Sequence, residues 1–218
     1  VRAFSGRFGS SPLLLVIGAA ALLVLTALWW LTQFDPLIRD AIRPWRTAWM
    51  LAVMSGVTFF GQGWVLGAIG ALVAASGYRF RRSPLVRPGL VSVAALIVSG
   101  LVNWVLKVGL GRPRPRFVDD GMLEWSISLV SGHHSFPSGH TVSAFAFAVV
   151  FAAWRPSWRP ALFAGATAIA ISRVVLDAHF FSDVVAGALV GAAVGWGSVV
   201  VAARRWPESG DAATRTTR

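Results

Sequence analysis

Long uncharged apolar runs, separated by short arginine-rich connections, set the pattern of this chain. The first run extends from Pro12 to about Phe34, enough for the roughly 20 residues that cross a ~30 Å hydrocarbon core. It follows Arg2 and Arg7, as a secretory signal would. Its apolar stretch is nonetheless longer than the roughly 7–15 residues of a signal core, and no small-x-small cleavage pattern follows, so a retained span is expected. The next uncharged stretch, Thr47 to Tyr78, is too long for one simple crossing. Gly61-Gln62-Gly63 is expected to divide it into an interfacial segment, about Trp45–Thr58, and a second span ending near Tyr78. Further spans are expected over about Leu85–Leu110, Gly139–Trp154, Pro160–Leu176 and Asp183–Ala203, with Pro84, Pro156 and Pro160 at helix starts or breaks. The pattern predicts an all-α protein, a bundle of six transmembrane helices forming one domain over residues 1–206, then a polar disordered tail over 207–218.

Composition supports a membrane chain. Hydrophobic residues make up 56% of the 218, and only 13% are charged, against about a quarter in soluble domains. The formal charge of +11 would suit nucleic acid if it were gathered on a soluble surface. Here the charges fall between apolar runs, so no nucleic-acid partner is expected. The absence of cysteine excludes disulfides, thiol catalysis and zinc–thiolate sites. With a cytoplasmic N-terminus, the outer side carries Arg39, Arg43, Arg46, Lys107, Arg112, Arg114, Arg116 and Arg173, which leaves 12 of the 20 cations inside. The five from Lys107 onward lie in or near motifs, so three against twelve is the fair comparison under the positive-inside rule. Both termini are therefore expected in the cytoplasm of a bacterial inner-membrane protein.

Three segments place polar groups where lipid would otherwise be: Lys107 to Pro115, Pro137-Ser138-Gly139-His140, and Ser172 to Asp183. In the expected topology all three reach the outer, periplasmic face. Lys107, Arg114 and Arg173 bring cations that call for an anion, and arginine forks match phosphate oxygens. Pro137-Ser138-Gly139-His140 opens a helix whose free N–H groups and dipole favour an anion; Gly139 permits close approach and the Ser138 hydroxyl can donate. His179 and Asp183, four apart, would share a helical face, the carboxylate fixing the tautomer of an imidazole that attacks phosphorus. His140, from another helix, would protonate the departing oxygen. No metal or other cofactor is expected, because the cations neutralise the developing charge.

These segments resemble the three signature motifs of the type 2 phosphatidic acid phosphatase superfamily: Lys-x6-Arg-Pro at Lys107, Arg114 and Pro115; Pro-Ser-Gly-His at Pro137–His140; and Ser-Arg-x5-His-x3-Asp at Ser172, Arg173, His179 and Asp183. Every signature position is present. The resemblance implies a metal-independent membrane phosphatase acting on lipid phosphates, with His179 as nucleophile, Asp183 its partner and His140 the acid. It also implies that Lys107, Arg114, Ser138, Gly139 and Arg173 hold phosphate. Phosphatidic acid, phosphatidylglycerophosphate, a polyprenyl diphosphate such as undecaprenyl diphosphate, and phosphorylated lipid A are all candidate substrates.

Rival readings stand beside these. Arg112 is either a fourth phosphate ligand or a loop charge, and Asp177 reads as a solvated turn residue. His133 and His134 could join His140 around a metal, although no compact four-ligand spacing is present. Asn103 either orients Lys107 or bonds between helices. Trp45, Trp49 and Trp64 read as interfacial anchors or as the lining of a tail groove. For the whole chain, a lipid phosphotransferase using the same intermediate and a non-catalytic lipid-phosphate carrier are the alternatives.

Overall fold

The computed structural model describes residues 12–80, 83–118, 125–127, 129 and 134–206, with side chains from residue 22 onward except at Ser83. The expected tail over 207–218 lies outside the described residues, as do Arg2, Arg7 and His133.

All regular structure among the described residues is helical. The helices are α1 (Pro12–Thr32), α2 (Asp35–Ile42), α3 (Ala48–Phe59), α4 (Gly63–Arg79), α5 (Ser83–Leu110), α6 (Gly139–Trp154), α7 (Arg159–Val175) and α8 (Phe181–Arg205). Short 3-10 turns at Arg43–Trp45, Pro115–Phe117 and Pro156–Trp158 each carry a proline in their first two positions, where its missing N–H costs nothing. The α3–α4 break falls at Gly61-Gln62, and the two helices meet at 45°. One element was not foreseen: α2 follows directly on the first apolar run, with Asp35 and Pro36 opening it.

Among the described residues, two segments, Pro84–Phe117 and Phe181–Arg205, are long and apolar enough to cross a membrane, and α3 with α4 makes a third if the bent pair is one span. Six crossings are thus more than helix length alone establishes. The outer surface of the bundle is apolar: Leu23, Leu72, Ile97, Leu101, Trp104 and Trp196 are all exposed, as lipid-facing side chains are.

Helix α6 is central and packs on α8, α5, α7 and α4. One core joins Leu66, Leu96, Ala144, Ala148, Ala166 and Ile169 from α4, α5, α6 and α7; another joins Ala170, Val174 and Val184, with Ile38 and Ile42 of α2 packed against it. Buried positions are mostly small, and α8 takes this furthest with glycines at every fourth residue. A Cβ at Gly187 would lie 2.8 Å from the Ser138 carbonyl oxygen, and one at Gly191 2.3 Å from that of Val142. Backbone therefore touches backbone along the α6–α8 seam, the small-residue packing by which membrane helices approach closely. This seam sets the start of α6 against the start of α8.

Candidate active site

At the start of α6, Ser138 is the N-cap and Gly139 the first helical residue. The Ser138 N–H donates to the Asp183 carbonyl oxygen (3.0 Å), and the Thr141 hydroxyl donates to the Ser138 hydroxyl (3.0 Å). A Cβ on Gly139 would sit 3.2 Å from Asn103 Nδ2 and 3.9 Å from Lys107 Cε. Asn103 and Lys107 of α5 thus flank the α6 N-terminus. The Lys107 ammonium donates to the His134 carbonyl oxygen (2.5 Å).

His179 and Asp183 come together differently from the helical pairing expected of residues four apart. His179 lies in the bend before α8, and Phe180 is the extended N-cap (φ −74°, ψ 163°). Asp183, three residues on, turns back so that its Oδ2 accepts the Phe180 N–H at 2.9 Å, as the third residue of a capping box does. The same oxygen lies 3.6 Å from His179 Nδ1. Ser135 bridges the two, its hydroxyl 2.5 Å from Asp183 Oδ2 and 3.5 Å from His179 Nδ1. With Nδ1 facing the carboxylate, Nε2 is the nitrogen left for chemistry. Burial, with Lys107 and Arg173 adding to it against the pull of Asp183, pushes the His179 imidazole down to about 4, so the ring is neutral at pH 7.

Arg173 of α7 is held from two sides. Its guanidinium donates to the Thr58 hydroxyl of α3 (2.8 Å), and its carbonyl oxygen accepts the N–H groups of Ala178 and His179. Arg114 follows α5 and precedes the 3-10 turn at Pro115–Phe117. The Nε groups of Arg114 and Arg173, like those of Arg46, Arg87 and Arg112, are buried without a hydrogen-bond partner among the described residues. His140 lies within electrostatic reach of Arg173, His179, Lys107 and Arg114. Lys107, Arg114, Ser138, Gly139, His140, Arg173, His179 and Asp183, drawn from three separate segments, are thereby gathered at one end of the bundle.

Arg112 is placed elsewhere. It is fully buried and donates to Asp183 Oδ1 (2.5 Å), the Ser182 hydroxyl (2.7 Å) and Asp35 Oδ2 (2.7 Å), with its guanidinium 4.2 Å from the Phe180 ring centroid. It stands behind the Asp183 carboxylate with both terminal nitrogens on protein acceptors, and is not a free loop charge. Asp177 is also more than a solvated turn residue. At φ 54° it accepts Nε and Nη2 of Arg39 (2.9 and 2.8 Å) and Nη2 of Arg46 (3.1 Å). Burial alone would raise its carboxyl, but these two arginines outweigh it and hold Asp177 below the usual range. Ser135, Asp35, Ser182 and Thr58 were not singled out from the sequence. Only Asp35 carries a signal, as an acid directly before proline where the first apolar run ends. Among the described residues no three His, Asp or Glu side chains cluster as a metal site would require.

A family model described as PAP2 superfamily matches residues 88–207, which includes all three segments. A lipid A 1-phosphatase of Rhizobium etli is 40% identical over 118 residues, 52% of this chain and 49% of that protein. The chain spans about half the length of that relative. A decaprenylphosphoryl-5-phosphoribose phosphatase of Mycobacterium tuberculosis is 32% identical over 146 residues, 67% of this chain and 77% of that protein. In three dimensions, the crystal structure of a transmembrane PAP2-type phosphatidylglycerolphosphate phosphatase from Bacillus subtilis matches with a TM-score of 0.65 at 24% identity, covering 81% of this chain and 88% of that one. The apolar multi-pass helices make this an integral membrane protein, and with the family match running over more than half of its length, the chain belongs to the PAP2 superfamily.

Proposed function

We propose that this protein is a lipid phosphatase that hydrolyses a phosphate ester or diphosphate of a membrane lipid through a phosphohistidine. The observation that carries the reading is the His179–Ser135–Asp183 cluster, with Nδ1 turned to the carboxylate and cations from three helical segments around it. Nε2 of neutral His179 attacks phosphorus, forming an N–P bond as the bond to the lipid oxygen breaks, and His140 gives that oxygen its proton. Water then attacks the phosphohistidine with His140 as base; the N–P bond breaks and inorganic phosphate leaves. Lys107, Arg114, Arg173 and the N-terminus of α6 at Ser138 and Gly139 stabilise the charge on the equatorial oxygens. Six crossings would place this end of the bundle on the periplasmic side of the inner membrane, with both termini in the cytoplasm.

The relatives are phosphatases of lipid A, phosphatidylglycerophosphate and a decaprenyl-linked phosphoribose. What these share is a phosphate carried by a lipid, which is the substrate class proposed here. The test is release of inorganic phosphate from a panel of such lipids by the purified chain in detergent, without any acceptor lipid. Turnover that vanishes in His179→Ala supports the reading. Loss of phosphate from the donor only when an acceptor lipid is supplied, with the phosphoryl group recovered on that acceptor and not as inorganic phosphate, would make it a phosphotransferase; no turnover under either condition, with lipid phosphate still bound by His179→Ala, would make it a carrier.

A further inference from the structure

Asp35 is the first residue of α2, far from the three motif segments in sequence, and its side chain is buried. Its Oδ2 accepts Arg112 Nη2 at 2.7 Å and also the Ser182 hydroxyl; its Oδ1 accepts the Ser182 N–H at 2.9 Å. Burial raises the Asp35 carboxyl from its usual value, against Arg112 and Ser182. The three donors on its two oxygens favour the charged form. Arg112 passes the connection on, since its other terminal nitrogen holds Asp183 Oδ1 at 2.5 Å. An unbroken chain of contacts therefore runs from α2 through Arg112 and Asp183 to His179.

We infer that Asp35 is a positioning residue of the active site, acting through Arg112 on the orientation and effective charge of Asp183 and thereby on the tautomer of His179. Two carboxylates share one guanidinium, so the cluster carries one net negative charge beside the imidazole. Without the charge of Asp35, Arg112 neutralises Asp183 alone, and the carboxylate, 3.6 Å from Nδ1 and joined to it through the Ser135 hydroxyl, favours the His179 Nδ1–H tautomer less. Arg112 is pinned by an acid at each end, and a guanidinium fixed in this way fixes the oxygen it holds. A buried ion cluster of this kind adds little stability over an apolar replacement, which makes a role at the site the more informative explanation. Asp35 does not touch the phosphate cradle, so its effect belongs in kcat and not in KM.

The inference rests on the proposed role of His179, and its test reads that histidine directly. The full chain, ¹⁵N-labelled at histidine and held in detergent at pH 7, reports the His179 tautomer by NMR. The other charged or titratable groups facing His179 are Lys107 on α5, His140 on α6 and Arg173 on α7, and they are unchanged in every variant. Asp35→Asn is expected to lower the ratio of Nδ1–H to Nε2–H by about tenfold, with kcat down by about tenfold and KM within about twofold. Adding Arg112→Gln restores one net negative charge at Asp183 and is expected to return the ratio toward wild type. An unchanged ratio in Asp35→Asn, or a ratio in the double variant as low as in Asp35→Asn, overturns the inference. Should Asp35→Asn fail to fold, the double variant, which removes both buried charges together, stands alone. A near-wild-type ratio there supports the charge balance, and a collapsed one refutes it. A tautomer shift in a chain whose wild type releases no phosphate from any lipid would leave the network standing and sink the phosphatase reading instead.

Discussion

Ser135→Ala isolates the contact that joins the nucleophile to its carboxylate. The Ser135 side chain is fully buried, and its hydroxyl reaches Asp183 Oδ2 at 2.5 Å and His179 Nδ1 at 3.5 Å. Alanine removes one oxygen and adds no bulk. Oδ2 keeps the Phe180 N–H and Oδ1 keeps Arg112, so the carboxylate stays paired but loses one charge-assisted bond. Such a bond contributes about 1.5–3 kcal/mol, which for a chain of this length corresponds to a midpoint lowered by roughly 3–12 °C. The activity should fall further than this loss of stability explains. His179 Nδ1 lies 3.6 Å from Asp183 Oδ2 and 3.5 Å from the Ser135 hydroxyl, so the ring is oriented by long contacts to both, and Ser135, bonded to Oδ2, links them. Loss of a partner that orients a reacting histidine lowers activity by about 10- to 100-fold. Thermal unfolding in detergent and kcat measured well below the unfolding midpoint check the two parts separately. If Ser135 instead holds the pair apart, its removal lets them close, and an unchanged or raised kcat would refute the reasoning.

Three further outcomes follow from the same geometry. Gly191→Ala drives a Cβ to within 2.3 Å of the Val142 carbonyl oxygen, whereas Gly165 has nothing within 4 Å; thermal unfolding should register a loss of about 1–3 kcal/mol for the first and no such strain for the second. Asp177 has its pKa depressed by Arg39 and Arg46, so its contribution is present above the unfolded carboxylate value and disappears as pH falls through the lower folded value. Asp177→Asn, which tolerates φ 54°, should cost at most about 1 kcal/mol at pH 7 and nothing at a pH below the folded value, measured by unfolding midpoints across that window. Because burial pushes His179 to about 4, the attacking imidazole stays neutral well below pH 7, and the acid limb of kcat/KM belonging to it should lie near pH 4. A limb near pH 6.5 would mean the ring is not buried as described.

The motif residues could be read from the sequence because phosphate chemistry needs particular side chains at fixed local spacings. Lys107 and Arg114 flank one helix end, Ser138 and Gly139 open another, and His179 and Asp183 bracket a third. Helix boundaries were also legible, since apolar length, proline and the Gly61-Gln62-Gly63 break mark them. The residues that support the cluster were not. Ser135, Thr58 and Asp35 act by contacts at separations of 44, 115 and 147 in sequence, and a single serine or aspartate has no local pattern to give it away. Arg112 was ambiguous for the same reason: its neighbours Gly111 and Pro113 look alike whether the guanidinium turns toward phosphate or toward a buried acid. The helical spacing of His179 and Asp183 suggested the right pair for the wrong local reason, because the partners meet through an N-terminal cap.

A transient bond between His179 and phosphorus is the central step of the proposed hydrolysis. Rapid acid-free quenching of the chain with a ³²P-labelled lipid phosphate, followed by peptide mapping, tests it directly. The expected result is an acid-labile, base-stable label on the peptide that contains His179, formed before inorganic phosphate is released and absent from His179→Ala. Steady turnover with no labelled protein, or a label that persists in His179→Ala, would contradict it.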